Sequence, residues 1–233
     1  MKRWDTIQVG GSPMRVYLAA PDGVGEAPAV MIAQHGPGVD RFIEDRAEAL
    51  AAEGFCAAAP DLYHRQSGDG ADMMAKIGRL RDAEIVADMN ATIEHAKQLP
   101  DIRIGKVGVI GFCMGGRVSY LMAGSNASLR AAGVFYGGNI MKPWGDGPAP
   151  FALTSKIRCP VIGFFGIEDK NPSPDDVKAI DAELTRKGKV HAFHSYDAAG
   201  HAFLNFSNPA MYRERQAKDA WSKLIPFLKK ELA

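Results

Sequence analysis

The chain has 233 residues, 46% hydrophobic and 24% charged, so a sizeable core and a solvated surface are both within reach. Its 28 basic and 27 acidic residues leave a net charge of +1, which makes no electrostatic case for nucleic acid or for an anionic membrane. No apolar run approaches the roughly 20 residues a membrane helix needs. The first residues lack a secretory pattern, and three cysteines are too few and too irregular for a disulfide framework or a zinc cage. A reducing cytoplasm is the expected setting.

In chain order, strands are expected over residues 14–19 and 30–34, then a helix over 42–52 and a strand over 55–59. Val86, Met89, Ile93 and Ala96 recur at helical spacing. A strand over 107–111 leads into a helix from about Gly115. Strands over 132–136 and 161–165 follow, then a short helix over 179–184 and a strand over 190–196. The tail, 211–232, carries a helical stripe of Trp221, Leu224, Ile225 and Leu228, which Pro226 is expected to kink or divide. Loops are expected over 66–72 and 139–150, the second showing no surviving period. Strands apolar on both faces, alternating with helices, predict a mostly parallel central sheet flanked by helices on both faces. There is no repeat or domain linker, so residues 1–233 read as one α/β domain with no cap domain.

The run 107–116, Val-Gly-Val-Ile-Gly-Phe-Cys-Met-Gly-Gly, carries the most chemistry. It reads as a buried strand, a tight turn and a helix, with Cys113 at the apex of a Gly-x-Cys-x-Gly elbow. The helix N-terminus favours thiolate over thiol, and the Met114 N–H points toward a developing oxyanion. A lone cysteine between glycines is more often a small buried hydrophobe. Strand before and helix after reverse that reading for Cys113, whereas Cys56 and Cys159 lack the context and read as core.

An elbow nucleophile needs a base, and the chain order of this arrangement is nucleophile, acid, histidine. Of the six histidines, His95 belongs on a solvated helix face, and His191 and His194 point to opposite faces of one strand, so they make no metal pair. His201 follows the last strand in a small-residue loop, Asp-Ala-Ala-Gly-His-Ala-Phe. The acid belongs in the turn after the preceding strand, where Glu168 and Asp169 are adjacent. Asp169 is preferred because its Gly-x-x-Asp spacing from Gly166 resembles the acid turn of α/β-hydrolases.

With these residues in place, the chain resembles the dienelactone hydrolase (carboxymethylenebutenolidase) family of the α/β-hydrolase fold. The matching segments are Pro-Asp-Leu-Tyr-His-Arg-Gln over 60–66, Gly-Phe-Cys-Met-Gly-Gly over 111–116, Phe-Tyr-Gly over 135–137, Gly-Ile-Glu-Asp over 166–169 and Ala-Gly-His-Ala-Phe over 199–203. The resemblance implies a Cys113, Asp169, His201 triad, no cofactor and no metal. It also departs in two places. His35 stands where the family has a glutamate against the resting thiol, and Asn205 stands near the place of a substrate arginine. A second substrate arginine corresponds to Arg79 or Arg81, and Arg81 is carried forward with Tyr136 as a substrate contact.

His-Gly-x-Gly over 35–38 resembles an esterase oxyanion loop, so the Gly36 N–H is expected to join that of Met114. His35 is left open between substrate contact and support of the turn. The expected reaction is hydrolysis of a small ester or lactone through a thioester on Cys113. A thiol amidase on the same fold and a non-catalytic, redox-responsive binding protein are the alternatives, and a homodimer covering the site is left open.

Overall fold

The computed structural model describes residues 1–23, 25–66, 70–99 and 103–233. Eight strands form one sheet: β1 (Lys2–Val9), β2 (Ser12–Ala19), β3 (Glu26–Ala33), β4 (Cys56–Pro60), β5 (Arg103–Phe112), β6 (Ala131–Phe135), β7 (Val161–Gly166) and β8 (His191–Tyr196). Their order is β1-β2-β4-β3-β5-β6-β7-β8, antiparallel through β1, β2 and β4 and parallel from there on. This is the mostly parallel, helix-flanked sheet expected from the alternating pattern, in the α/β-hydrolase arrangement that the family resemblance implies.

Successive strand residues face opposite sides, so each parallel strand feeds two cores. Ala29, Met31 and Ala33 pack with α3 (Asp82–Lys97), α4 (Met114–Ser125) and α5 (Pro174–Arg186). Val30 and Ile32 pack on the other face with α1 (Arg41–Ala52) and α6 (Glu214–Leu232). α6 runs unbroken through Pro226, so of the kink or division expected there the division does not occur. Pro226 is exposed on the solvent side, while Leu224, Ile225 and Leu228 hold both halves of the helix on the sheet.

The sequence reading missed β1. It is an edge strand with a single buried residue, Val9, so no alternation betrays it. The signal lay in Gly10 and Gly11, both at positive φ (59° and 80°) in the two-residue turn joining β1 to β2. β1 also gives His95 a partner, since the half-buried ring meets Asp5 of that strand at 2.9 Å instead of lying on an open helix face. The short helix α2 (Met73–Arg79) was likewise unforeseen, with Asp72 accepting from the Ala75 N–H as its N-cap. Of the loop expected over 66–72, residues 67–69 lie outside the described residues.

Candidate active site

The C-terminal ends of the parallel strands bring the candidate residues together at one edge of the sheet, as open α/β sheets do. Cys113 follows β5 directly and adopts φ 57°, ψ −120°, a left-handed backbone that a non-glycine residue holds only when its surroundings impose it. The surroundings do so. The Cys113 N–H donates to the Phe135 carbonyl at 3.1 Å, and the Cys113 carbonyl accepts from the Gly116 N–H at 2.9 Å. A Cβ at Gly115 would lie 2.1 Å from the Ala33 carbonyl oxygen, and one at Gly111 would lie 1.9 Å from the Gly115 oxygen, so only glycine allows β5, the turn and α4 to approach so closely. Met114 opens α4, and its N–H has no carbonyl one turn back to bond.

Asp169 follows β7 and His201 follows β8. Their two loops are stitched by backbone bonds: Ile167 N–H to the Tyr196 carbonyl, and Glu168 N–H to the Ala199 carbonyl, each 3.0 Å. His201 Nδ1 lies 2.8 Å from Asp169 Oδ2, and Asp169 Oδ1 accepts from the Asn171 N–H at 2.9 Å. The buried carboxylate thus has both oxygens occupied, which fixes the imidazole tautomer. Burial alone would pull the imidazole down, but hydrogen bonds to Asp169 and to the Cys113 sulfur and their charges override it and raise its pKa to about 10. Burial also pushes the thiols of Cys56 and Cys159 up to about 11, in keeping with core positions. Cys113 is the half-exposed one of the three free cysteines.

Dienelactone hydrolase family sequences match this chain over residues 14–232. The chain belongs to the dienelactone hydrolase family. A Synechocystis sp. protein assigned as a carboxymethylenebutenolidase is 37% identical over 97% of this chain and 93% of its own length. A crystal structure assigned as a dienelactone hydrolase, from Klebsiella pneumoniae, superposes with a TM-score of 0.90 at 29% identity over 97% of both chains. A dienelactone hydrolase-like promiscuous phosphotriesterase from metagenomic libraries shares the fold at TM-score 0.87 and 21% identity, over 100% of this chain and 99% of its own. Membership makes this chain one of a family of hydrolases acting on small molecules.

A cleft of about 490 Å3 opens over the site, and Cys113, Met114, Gly36, His35, Asp169, His201 and Asn205 all line it. His35 Nε2 lies 2.8 Å from Asp40 Oδ1, the N-cap of α1, and its ring rests 5.2 Å from Phe42. The carboxylate beside this turn is therefore drawn to His35. The Tyr63 hydroxyl donates to the Gly36 carbonyl at 2.8 Å and touches Met114 Sδ at 3.3 Å, joining the two segments whose N–H groups were singled out. Leu62 N–H donates to Gln34 Oε1 at 3.1 Å, which ties the segment over 60–66 to the same turn.

Two expected substrate contacts lie elsewhere. Tyr136 is buried one layer beneath the cleft; its backbone bends at φ 39°, and its ring meets His201 edge-on at 5.3 Å. Arg81 is not on the cleft wall, because its guanidinium bonds the Gly78 and Leu80 carbonyls at the end of α2. Asn205 does line the cleft, with its carboxamide oxygen taken by the Ser207 N–H at 3.0 Å. Among the wall residues the sequence reading missed are Met73, Met74 and Ile77 of α2, Trp144, Lys170 and Met211. Among the described residues, no group of three or more His, Cys, Asp or Glu side chains is arranged to hold a metal ion.

Proposed function

We propose that this chain hydrolyses a small ester or lactone with Cys113 as nucleophile, His201 as acid and base, and Asp169 as the group that orients His201. The observation that carries this reading is the placement of His201, bonded through Nδ1 to buried Asp169 and lining the same cleft as Cys113, whose sulfur helps keep the imidazole protonated. An imidazole held protonated beside a sulfur favours a thiolate–imidazolium pair, as in other Cys–His enzymes.

The Cys113 sulfur attacks the carbonyl carbon, and the carbonyl electron pair moves onto oxygen, facing the N–H groups of Met114 and Gly36. Collapse expels the alkoxide, which takes the proton from His201 and leaves a thioester on Cys113. His201, now neutral, removes a proton from water. The hydroxide attacks the thioester, and collapse returns the thiolate while His201 again holds the proton. Esters and strained lactones suit this cycle because their leaving oxygens need less protonation than an amide nitrogen.

The same reading takes residues 1–233 as one α/β domain working in the cytoplasm, where three unpaired cysteines stay reduced. Among the described residues, no helix is long and apolar enough to cross a membrane. The test is turnover of p-nitrophenyl acetate and of a dienelactone by the wild type and Cys113→Ala, with mass spectrometry for an acyl adduct on Cys113. Loss of turnover by about a thousandfold and a trapped adduct are expected. Turnover unchanged in Cys113→Ala overturns the nucleophile assignment.

A further inference from the structure

Arg117 is the anomaly of α4, a charged side chain with no exposure in a helix buried from Met114 to Gly124. Such a charge persists only where it is paired and well hydrogen-bonded. Here Nη1 and Nη2 take both carboxylate oxygens of Asp82, the second at 2.9 Å. Nη2 also donates to the Lys142 carbonyl at 2.6 Å, and Nε to the Asn139 carbonyl at 3.1 Å. The guanidinium carbon lies 3.9 Å over the Trp144 ring. Asp82 closes the arrangement, since its N–H donates to the Trp144 carbonyl at 2.7 Å and its Oδ2 accepts from the Trp144 N–H at 2.9 Å.

The consequence reaches the cleft. Arg117 stands one helical turn after Cys113, so the helix that presents the sulfur also holds Trp144 on the cleft wall. Met73 and Ile77 from α2, Met114 and Met211 supply apolar surface around it, beside four asparagines that carry no charge. Among the described residues, no arginine lines it, and its one lysine, Lys170, is exposed. A carboxylate brought here would lose water without gaining a forked partner, whereas a flat apolar ring would meet an indole and several thioethers.

We propose that Trp144 is the specificity-determining residue of the cleft, that Arg117 with Asp82 is its positioning device, and that the group selected is an uncharged aryl group on the ester or lactone. This rests on the esterase reading above and names its substrate class. Arg117 has no exposed surface, so it acts only through the ring it holds.

The test uses trifluoroethyl esters that differ only on the acyl side: 3-phenylpropanoate, propanoate and hemisuccinate. The wild type is expected to favour the phenyl ester in kcat/KM by about tenfold over each of the others, the size of burying one ring. Trp144→Ala should erase that preference through KM. Arg117→Lys, which cannot fork onto Asp82 and reach both carbonyls, should raise KM for the phenyl ester about three- to tenfold with kcat within twofold. Should Arg117→Lys fail to fold, Trp144→Ala still decides. A second measurement separates this proposal from the esterase reading: calorimetric binding of 3-phenylpropanamide and succinamate to Cys113→Ala, in which the nucleophile is gone. The phenyl amide should bind at least tenfold tighter, and the additional Trp144→Ala should abolish the difference. Absent ester turnover with that binding preference intact counts against the esterase reading alone. Equal handling of the 3-phenylpropanoate and propanoate esters, a preference for the carboxylate, or a preference untouched by Trp144→Ala overturns the proposal.

Discussion

Two halves of the cleft are built on different principles. The side bearing Cys113, Asp169 and His201 is held by backbone: a positive-φ apex, glycines where no Cβ fits, and hydrogen bonds between the loops that follow β7 and β8. The facing wall is held chiefly by side chains. It consists of α2, which has no buried residue, and of a loop around Trp144 pinned by one buried ion pair. Backbone constraints of the first kind tolerate no adjustment, because sheet spacing sets them. The second kind can be retuned by single substitutions, so reacting groups and substrate choice can vary independently on this fold.

Graded disruptions break or sharpen that contrast. The largest effect is expected for Gly115→Ala, whose Cβ would meet the Ala33 carbonyl oxygen at 2.1 Å. A loss of about 4 kcal/mol or more, read as little soluble folded protein, is expected because neither partner is a movable side chain. Normal yield and melting temperature would show the elbow to be softer than described.

Asp82→Ala comes next. It strands the Arg117 charge in the interior and should cost about 3–5 kcal/mol in urea unfolding. Pairing Asp82→Leu with Arg117→Met should recover much of that stability, since an apolar pair needs no partner, yet leave KM for aryl esters raised. Recovery of both together would deny the wall its separate role.

His201 distinguishes the halves by pH. Its folded-state pKa of about 10 stands above the ordinary 6.5, so imidazolium is the form the fold stabilises. That contribution is complete below pH 6.5 and drains away as pH rises through about 10. The stability gap between wild type and His201→Gln should therefore narrow between pH 7 and pH 10.5. Asp169→Asn and Cys113→Ala should each lower the His201 midpoint followed by NMR, because each removes a partner that raises the imidazole pKa. A midpoint unmoved by either substitution would sever the coupling claimed among the three.

The smallest effect belongs to Met74→Ala on α2. It should change stability by no more than about 0.5 kcal/mol while raising KM for an apolar substrate a few-fold, since the residue is exposed and lines the cleft without packing on the core. A large stability loss would place α2 with the rigid half.

What could be read from sequence divides along the same line. Cys113 and the acid turn announced themselves through glycine spacing around strand ends, and His201 through its loop after the last strand. Tyr136 was misread because the bend that carries its ring under His201 leaves no trace in an apolar strand end. Arg81 was misread because its partners are carbonyls of α2, and a seven-residue helix without a buried face has no period to detect. Trp144 lay in the stretch that looked least ordered. The one usable signal was Arg117 itself, a charge amid eleven buried positions that had to have a partner somewhere.

Local chemistry thus specified the order of strands and helices from β2 onward, α2 excepted, together with the elbow and the members of the candidate triad, since each depends on residues adjacent in the chain or on glycine's missing side chain. Folding in three dimensions added Asp82 beneath Arg117, Asp40 beside His35, Tyr63 across Gly36 and Met114, and the methionine and indole wall. Those pairings join residues tens of positions apart, and no period or spacing encodes which charge will find which partner once the sheet has formed.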